Sequence, residues 1–168
     1  IKINNFKTGG IFTLPKDAET KPTQSNWALG DTYTHTPFTL ISKADNAPIV
    51  VNNTSTATDV TIANPMLFAP QSLTKWDTSK GKATESNECY LEISCKIKQN
   101  NSYLFGKDGF ETLYVPFGAD WQPGKRYVYT LIFGGGYDVD GNSILTPIKF
   151  EPSVELWGDE NKDINIQQ

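Results

Sequence analysis

The chain has 168 residues, 15 Lys plus Arg against 19 Asp plus Glu, a net charge of -4 and a pI near 5.0. That length suits one domain able to hold a core without disulfide or metal. The acidic balance and the single arginine, Arg126, argue against a phosphate-backbone binder, and no apolar run approaches the ~20 residues of a membrane helix.

Thr, Asn and aromatic residues (four Trp, seven Tyr, nine Phe) favour pleated surfaces, and Gly and Pro fall throughout, leaving little room for an amphipathic helix. The chain opens at Ile1 without an initiator Met or signal sequence and is expected to be a mature or trimmed product. Residues 1–35, with Pro15 and Pro22 among scattered polar residues, read as loop or short strands. Phe38-Thr39-Leu40-Ile41 and Ile49-Val50-Val51 read as strands on either side of the turn-rich Asp45-Asn46-Ala47-Pro48. Val60-Thr61-Ile62 and Met66-Leu67-Phe68 likewise flank Asn64-Pro65.

From Cys89 to Lys98 the odd positions are apolar and the even ones mostly polar, which predicts one strand with one face on a core. Cys89 and Cys95 then lie ~20 Å apart on that face, too far for a disulfide, and read as buried thiols. Residues 112–117 form a short strand. Residues 126–133 are apolar on both faces, with Tyr127, Tyr129, Leu131 and Phe133 on one and Val128, Thr130 and Ile132 on the other, which predicts a central strand. Residues 134–146 read as the loop of a hairpin with Asp140-Gly141 at its tip. A long strand over 148–156 follows, marked by Ile148, Phe150, Val154 and Leu156, with Pro152 implying an edge or a bulge. Ile164 and Ile166 suggest a short terminal strand. The whole predicts a single all-β domain over 1–168, an antiparallel sandwich of about seven or more strands.

Catalytic and metal signals are sparse. His35 is the only histidine and no Gly-x-Ser-x-Gly elbow accompanies it. One His and two distant thiols do not make a zinc site. Glu88 and Glu92, ~13 Å apart along a strand, do not make a glycosidase pair. Gly134-Gly135-Gly136 lacks the Lys-Ser/Thr of a phosphate loop, and 138–142 resembles only half a calcium loop. The expectation is a protein without catalytic residues, metal or cofactor.

The most specific local signature is Trp121-Gln122-Pro123-Gly124-Lys125-Arg126-Tyr127-Val128-Tyr129. Pro123 and Gly124 carry type II turn chemistry, and Trp121 is placed to cover a sandwich end. With Pro70-Gln71, Tyr90-Leu91-Glu92-Ile93, Val115-Pro116-Phe117, Ile148-Lys149-Phe150 and Val154-Glu155-Leu156-Trp157 in order, residues 60–168 resemble the C-terminal domain of fimbrillin-like proteins, the type V pilus subunits of anaerobic Gram-negative gut and oral bacteria. The resemblance implies a transthyretin-like or immunoglobulin-like sandwich in an exported surface fibre. Such subunits are made as lipoprotein precursors, held at the outer membrane or in the fimbria, and joined to other pilin subunits by β-strand addition in the service of cell adhesion. It makes Trp121, Pro123, Gly124, Tyr127, Tyr129 and Trp157 structural motif residues and Ile148, Phe150, Val154 and Leu156 a strand-exchange segment.

The sequence departs from that family in having room for one sandwich domain, and its only arginine lies inside a predicted strand. The chain is therefore expected to be the C-terminal part of a longer precursor. The short tail after Trp157 favours a tip, anchor or accessory subunit over a stalk. The competing reading is a non-catalytic carbohydrate-binding module of a cell-surface protein. Trp76, in polar Lys75-Trp76-Asp77-Thr78, is its best ring for stacking on a surface glycan.

Overall fold

The computed structural model describes residues 1–17, 19–34, 36–43, 47–51, 56–60, 66–99, 101–132, 136–145 and 149–156. In chain order the strands are β1 (Lys2–Asn4), β2 (Gly10–Phe12), β3 (Trp27–Leu29), β4 (Phe38–Thr39), β5 (Ser72–Leu73), β6 (Tyr90–Cys95), β7 (Ile97–Gln99), β8 (Ser102–Phe105), β9 (Glu111–Pro116), β10 (Ala119–Asp120), β11 (Lys125–Ile132), β12 (Gly136–Tyr137), β13 (Ser143–Leu145) and β14 (Lys149–Leu156). Short 3-10 turns at Gln24–Asn26, Thr78–Lys80 and Ala83–Glu85 are the only helical elements among the described residues. The fold is all-β, and among the described residues every ladder between strands is antiparallel.

One six-stranded sheet runs in the order β13-β12-β9-β6-β1-β4. Its centre is β6, paired along its length with β9 and on its other edge with β1. The alternation read in the sequence sets its two faces. Leu91 lies opposite both Ile3 and Val115, and Ile93 opposite Leu113, so five buried aliphatics form one continuous apolar layer. Among the described residues there are also four two-stranded ribbons, β10-β5, β11-β14, β2-β3 and β7-β8. Leu73 of β5, Phe105 of β8, Phe117 and Trp121 close over the apolar layer, and Tyr127, Tyr129 and Leu131 of β11 pack against it. The second layer of the sandwich is thus assembled from ribbons rather than one continuous sheet. On the opposite face Trp76, Ala83 and Tyr90 form a smaller core with Tyr114 and Tyr137 beside it.

The N-terminal stretch, unassigned from sequence, supplies β1 inside the main sheet. Asn5, directly after β1, has a φ of 59° that asparagine tolerates; its Nδ2 donates to the carbonyls of Ser86 at 2.6 Å and Glu88 at 3.0 Å.

Several sequence expectations are revised. The strand expected over 89–98 is two pieces: β6 ends at Cys95, and β7 leaves the sheet to pair with β8 through a register shift at Ile97/Lys98. Only Phe38 and Thr39 of the 38–41 run are strand. Residues 49–51 and 66–68 belong to none. Phe68 is nevertheless useful, meeting Phe6 edge-on at 5.3 Å and stacking on Trp121 at 5.0 Å. β11 is not a central strand among the described residues. Among the described residues β14 is its only strand neighbour, and its outward Val128 and Ile132 are 36% and 39% exposed. The turn at 45–46, residues 61–65, the 146–148 region and Ile164 and Ile166 lie outside the described residues.

Both cysteines are free, Cys89 buried and Cys95 half-buried. Burial pushes the Cys89 thiol up to about 12 and the Cys95 thiol to about 11. Because the fold favours the protonated thiols, their contribution to stability is intact below about pH 9 and lost as pH rises toward those values. Native protein at pH 8 should therefore resist alkylation by iodoacetamide, with both thiols reacting once guanidinium unfolds the chain; fast native labelling of Cys89 would contradict this packing. Leu113→Ala, at a fully buried position, should cost about 2–5 kcal/mol by chemical denaturation.

Candidate functional site

The site is built around the turn that leads into β11. Gly124 has a φ of 67° with open space around it, the geometry expected of the Pro123-Gly124 turn. The residues before and after the turn then lock together. Trp121 Nε1 donates to Tyr129 Oη at 2.9 Å. Tyr127 Oη accepts from the Gln122 N–H at 2.8 Å and donates to the Asp120 carbonyl at 3.0 Å. The Tyr127 and Tyr129 rings stack at 6.4 Å, and Phe117 meets Tyr129 edge-on at 5.0 Å. Burial pushes the Tyr129 phenol up to about 12, against the opposing pull of the Trp121 hydrogen bond. The side chains of Trp121, Tyr127 and Tyr129 therefore fasten β11 to β10 and to the core, with Pro123 and Gly124 forming the turn between them; Trp157 lies outside the described residues.

Asp120 extends this fastening. Its carboxylate accepts from Ser72 Oγ at 2.6 Å, Gln122 Nε2 at 2.7 Å and Gln24 Nε2 at 3.0 Å. Those bonds, that from Ser72 first, hold it below the usual carboxylate range. Gln24 Nε2 also donates to the Trp121 carbonyl at 2.8 Å, which ties the N-terminal segment to the same place.

β14 is held differently. Eight residue pairs join it to β11, from Lys125 opposite Leu156 to Ile132 opposite Lys149. Among the described residues it pairs with no other strand. Of the expected exchange segment, Phe150 lies opposite Leu131, Val154 opposite Tyr127 and Leu156 opposite Lys125, while Ile148 lies outside the described residues. Pro152, opposite Tyr129, has no N–H for a further partner, in keeping with the edge position read from sequence.

Trp76 is a correction. It is 1% exposed, donates from Nε1 to the Gly81 carbonyl at 3.1 Å and meets Tyr90 and Tyr137 edge-on, so it offers no face to a sugar. Its polar sequence neighbours point outward, while a backbone bond from the Trp76 N–H to the Cys89 carbonyl pins the indole against the sheet. The sequence also gave no sign that Trp27, Tyr33, Lys7, Gln24 and Gln71 would line one cleft of about 350 Å³. Its amides are already engaged: Gln71 exchanges hydrogen bonds with the Lys7 N–H and carbonyl at 2.8 and 2.9 Å, and Gln24 holds Asp120 and Trp121. Its cation is engaged as well, since Lys7 lies over the Tyr33 ring and 3.8 Å from Asp31.

The carboxylates weighed for chemistry each have local partners. Glu88 accepts from Lys80 Nζ at 2.7 Å and from the Asp77 N–H at 2.6 Å, and Glu92 accepts from Asn4 Nδ2 at 3.1 Å. Asp138 accepts from the Asp140 and Asn142 N–H groups and from Asn142 Nδ2, all at 2.9 Å, which is the bonding of a plain hairpin tip. Residues 138–142 do form the tip, but of β12–β13, a hairpin nested between β11 and β14. His35 lies outside the described residues.

Tyr127→Phe should cost about 1–3 kcal/mol, because it removes two bonds and strands the Gln122 N–H. Gly124→Ala should cost about 1–2 kcal/mol from backbone strain alone, with Gly124→Asn milder. Thermal unfolding of the three variants checks both expectations. No family model, curated protein or solved structure matches the chain.

Proposed function

We propose that the chain is a non-catalytic structural subunit of a bacterial surface fimbria, exported and associated with the outer membrane, and joined to other subunits by β-strand exchange at the β14 position. The observation that carries this reading is the unequal attachment of two paired strands. β11 is fastened to the core by Trp121, Tyr127 and Tyr129, whereas among the described residues β14 has β11 as its single strand partner. A strand with a one-sided ladder can be replaced by an equivalent strand from another copy without breaking any other pairing, and main-chain bonds then supply the affinity. The resemblance of residues 60–168 to fimbrillin-like proteins supports the same reading. Glycan stacking on Trp76 is set aside because that indole is buried. Among the described residues no helix is long and apolar enough to cross a membrane.

Arg126 and Glu155 are direct cross-strand partners, which gives a test. Arg126→Cys chains co-refolded with Glu155→Cys chains should form a covalent heterodimer on mild oxidation. Arg126→Cys with Ser79→Cys, a pair remote in the sheet register, should give only background. Heterodimer no higher than that background would overturn strand exchange at β14, provided that one chain carrying both Arg126→Cys and Glu155→Cys closes its own disulfide under the same oxidation.

A further inference from the structure

The ribbon β7–β8 carries a cationic face that strand pairing does not use. Lys2, Lys7, Lys80 and Lys82 each have a carboxylate within 4.0 Å, but Lys96 and Lys98 have none among the described residues. Their ammonium groups instead converge on aromatic rings. Lys98 Nζ lies 4.3 Å from the Tyr103 ring centroid; Lys96 Nζ lies 5.9 Å from the same ring and 5.1 Å from that of Phe110. Lys98 is the cross-strand partner of Tyr103, and the register shift at Ile97/Lys98 breaks the simple alternation there, as bulges do where a side chain is re-aimed.

Lys96 is also positioned from below. Gly106 has a φ of 70°, and a Cβ there would come 3.1 Å from Lys96 Cγ and 2.9 Å from the Cys95 carbonyl oxygen. Glycine thus leaves room for the lysine stem to pass. The Tyr103 phenol is held below its usual range by the hydrogen bond from Lys98, then by the charges of Lys98 and Lys96. The nearby acids, Asp108 in the turn after β8 and Glu111 opposite Cys95, form no ion pair with either lysine. Two cations gathered at one ring repel each other, and a bound anion converts that repulsion into attraction.

We propose that the Lys96–Lys98–Tyr103 face binds an anionic polysaccharide, a chain of uronate or sulfated sugars. Tyr103, 38% exposed, offers an apolar ring beside the two ammonium groups. A pyranose chain presents that same combination of apolar ring faces and repeated anions. Two lysines on a chain of net charge -4 are too few for a nucleic-acid backbone, which needs an extended basic track. Binding by one copy is independent of strand exchange; only the gain in avidity from repeating the face along a fibre rests on the fimbrial reading.

The test is titration of the full chain with four probes: heparin-derived oligosaccharide, oligogalacturonate, neutral dextran and poly-glutamate. Saturable binding to a sulfated or uronate probe is expected, weakened by added salt. The affinity should fall about tenfold or more in Lys96→Gln/Lys98→Gln and stay unchanged in Lys16→Gln/Lys21→Gln. Which anionic sugar binds tells sulfate from carboxylate recognition. The proposal is overturned by no binding to either anionic sugar, by equal binding in both double variants, or by poly-glutamate binding as tightly as the sugars, which would point to an acidic protein instead. The Arg126/Glu155 heterodimer assay on the lysine variant keeps the two readings apart, since loss of sugar binding should leave heterodimer formation intact.

Discussion

Everything in this fold leans on the position of β6 between β1 and β9. Leu91 and Ile93 can form a continuous apolar layer only because Ile3 on one side and Val115 and Leu113 on the other fall in register with them. A slip of one residue would turn Leu91 and Ile93 to the opposite face and bring Tyr90 and Glu92 to the core. With that register set, both faces acquire their roles: the aliphatic one receives the ribbons, and the opposite one packs Tyr90 and Tyr114 against Trp76.

The parts of the structure legible in the sequence are those governed by local rules. Period-two alternation identifies β6, and the Pro123-Gly124 pair identifies the turn into β11, because pleat and backbone φ act over a few residues. Long-range choices were not legible. Apolar content on both sides of β11 reads as a central strand, yet Val128 and Ile132 stay partly exposed because among the described residues no second strand arrives. Trp76 misled in the opposite direction, since hydrophilic neighbours along the chain do not reveal what an indole meets across a sheet. The lysines at 96 and 98 were visible only as the polar face of a strand. Their convergence on Tyr103 depends on a bulge and on a hairpin partner that periodicity does not encode.

The two proposed activities use different physics at different places. At β11–β14 the recognition element is backbone, so it tolerates varied side chains provided that the anchored strand remains in place. At β7–β8 the recognition element is charge held over aromatic rings, which depends on particular residues and on ionic strength. The Trp121–Tyr129 and Tyr127–Asp120 bonds tie β11 to the fold by contacts separate from its ladder to β14.

Gln71 and Gln24 give the N-terminal hairpin β2–β3 an unusual mode of attachment. Gln71 imitates a strand by meeting both backbone groups of Lys7 with one side-chain amide, and Gln24 reaches Asp120 and the Trp121 carbonyl from a single nitrogen. A ladder opens progressively like a zip, but a clasp made of one amide opens all at once. The hairpin is therefore expected to open as a local unit, with the two glutamines released together. Its amide protons will exchange with solvent through brief, local detachments while those of β6 and β9 wait for the whole molecule to unfold.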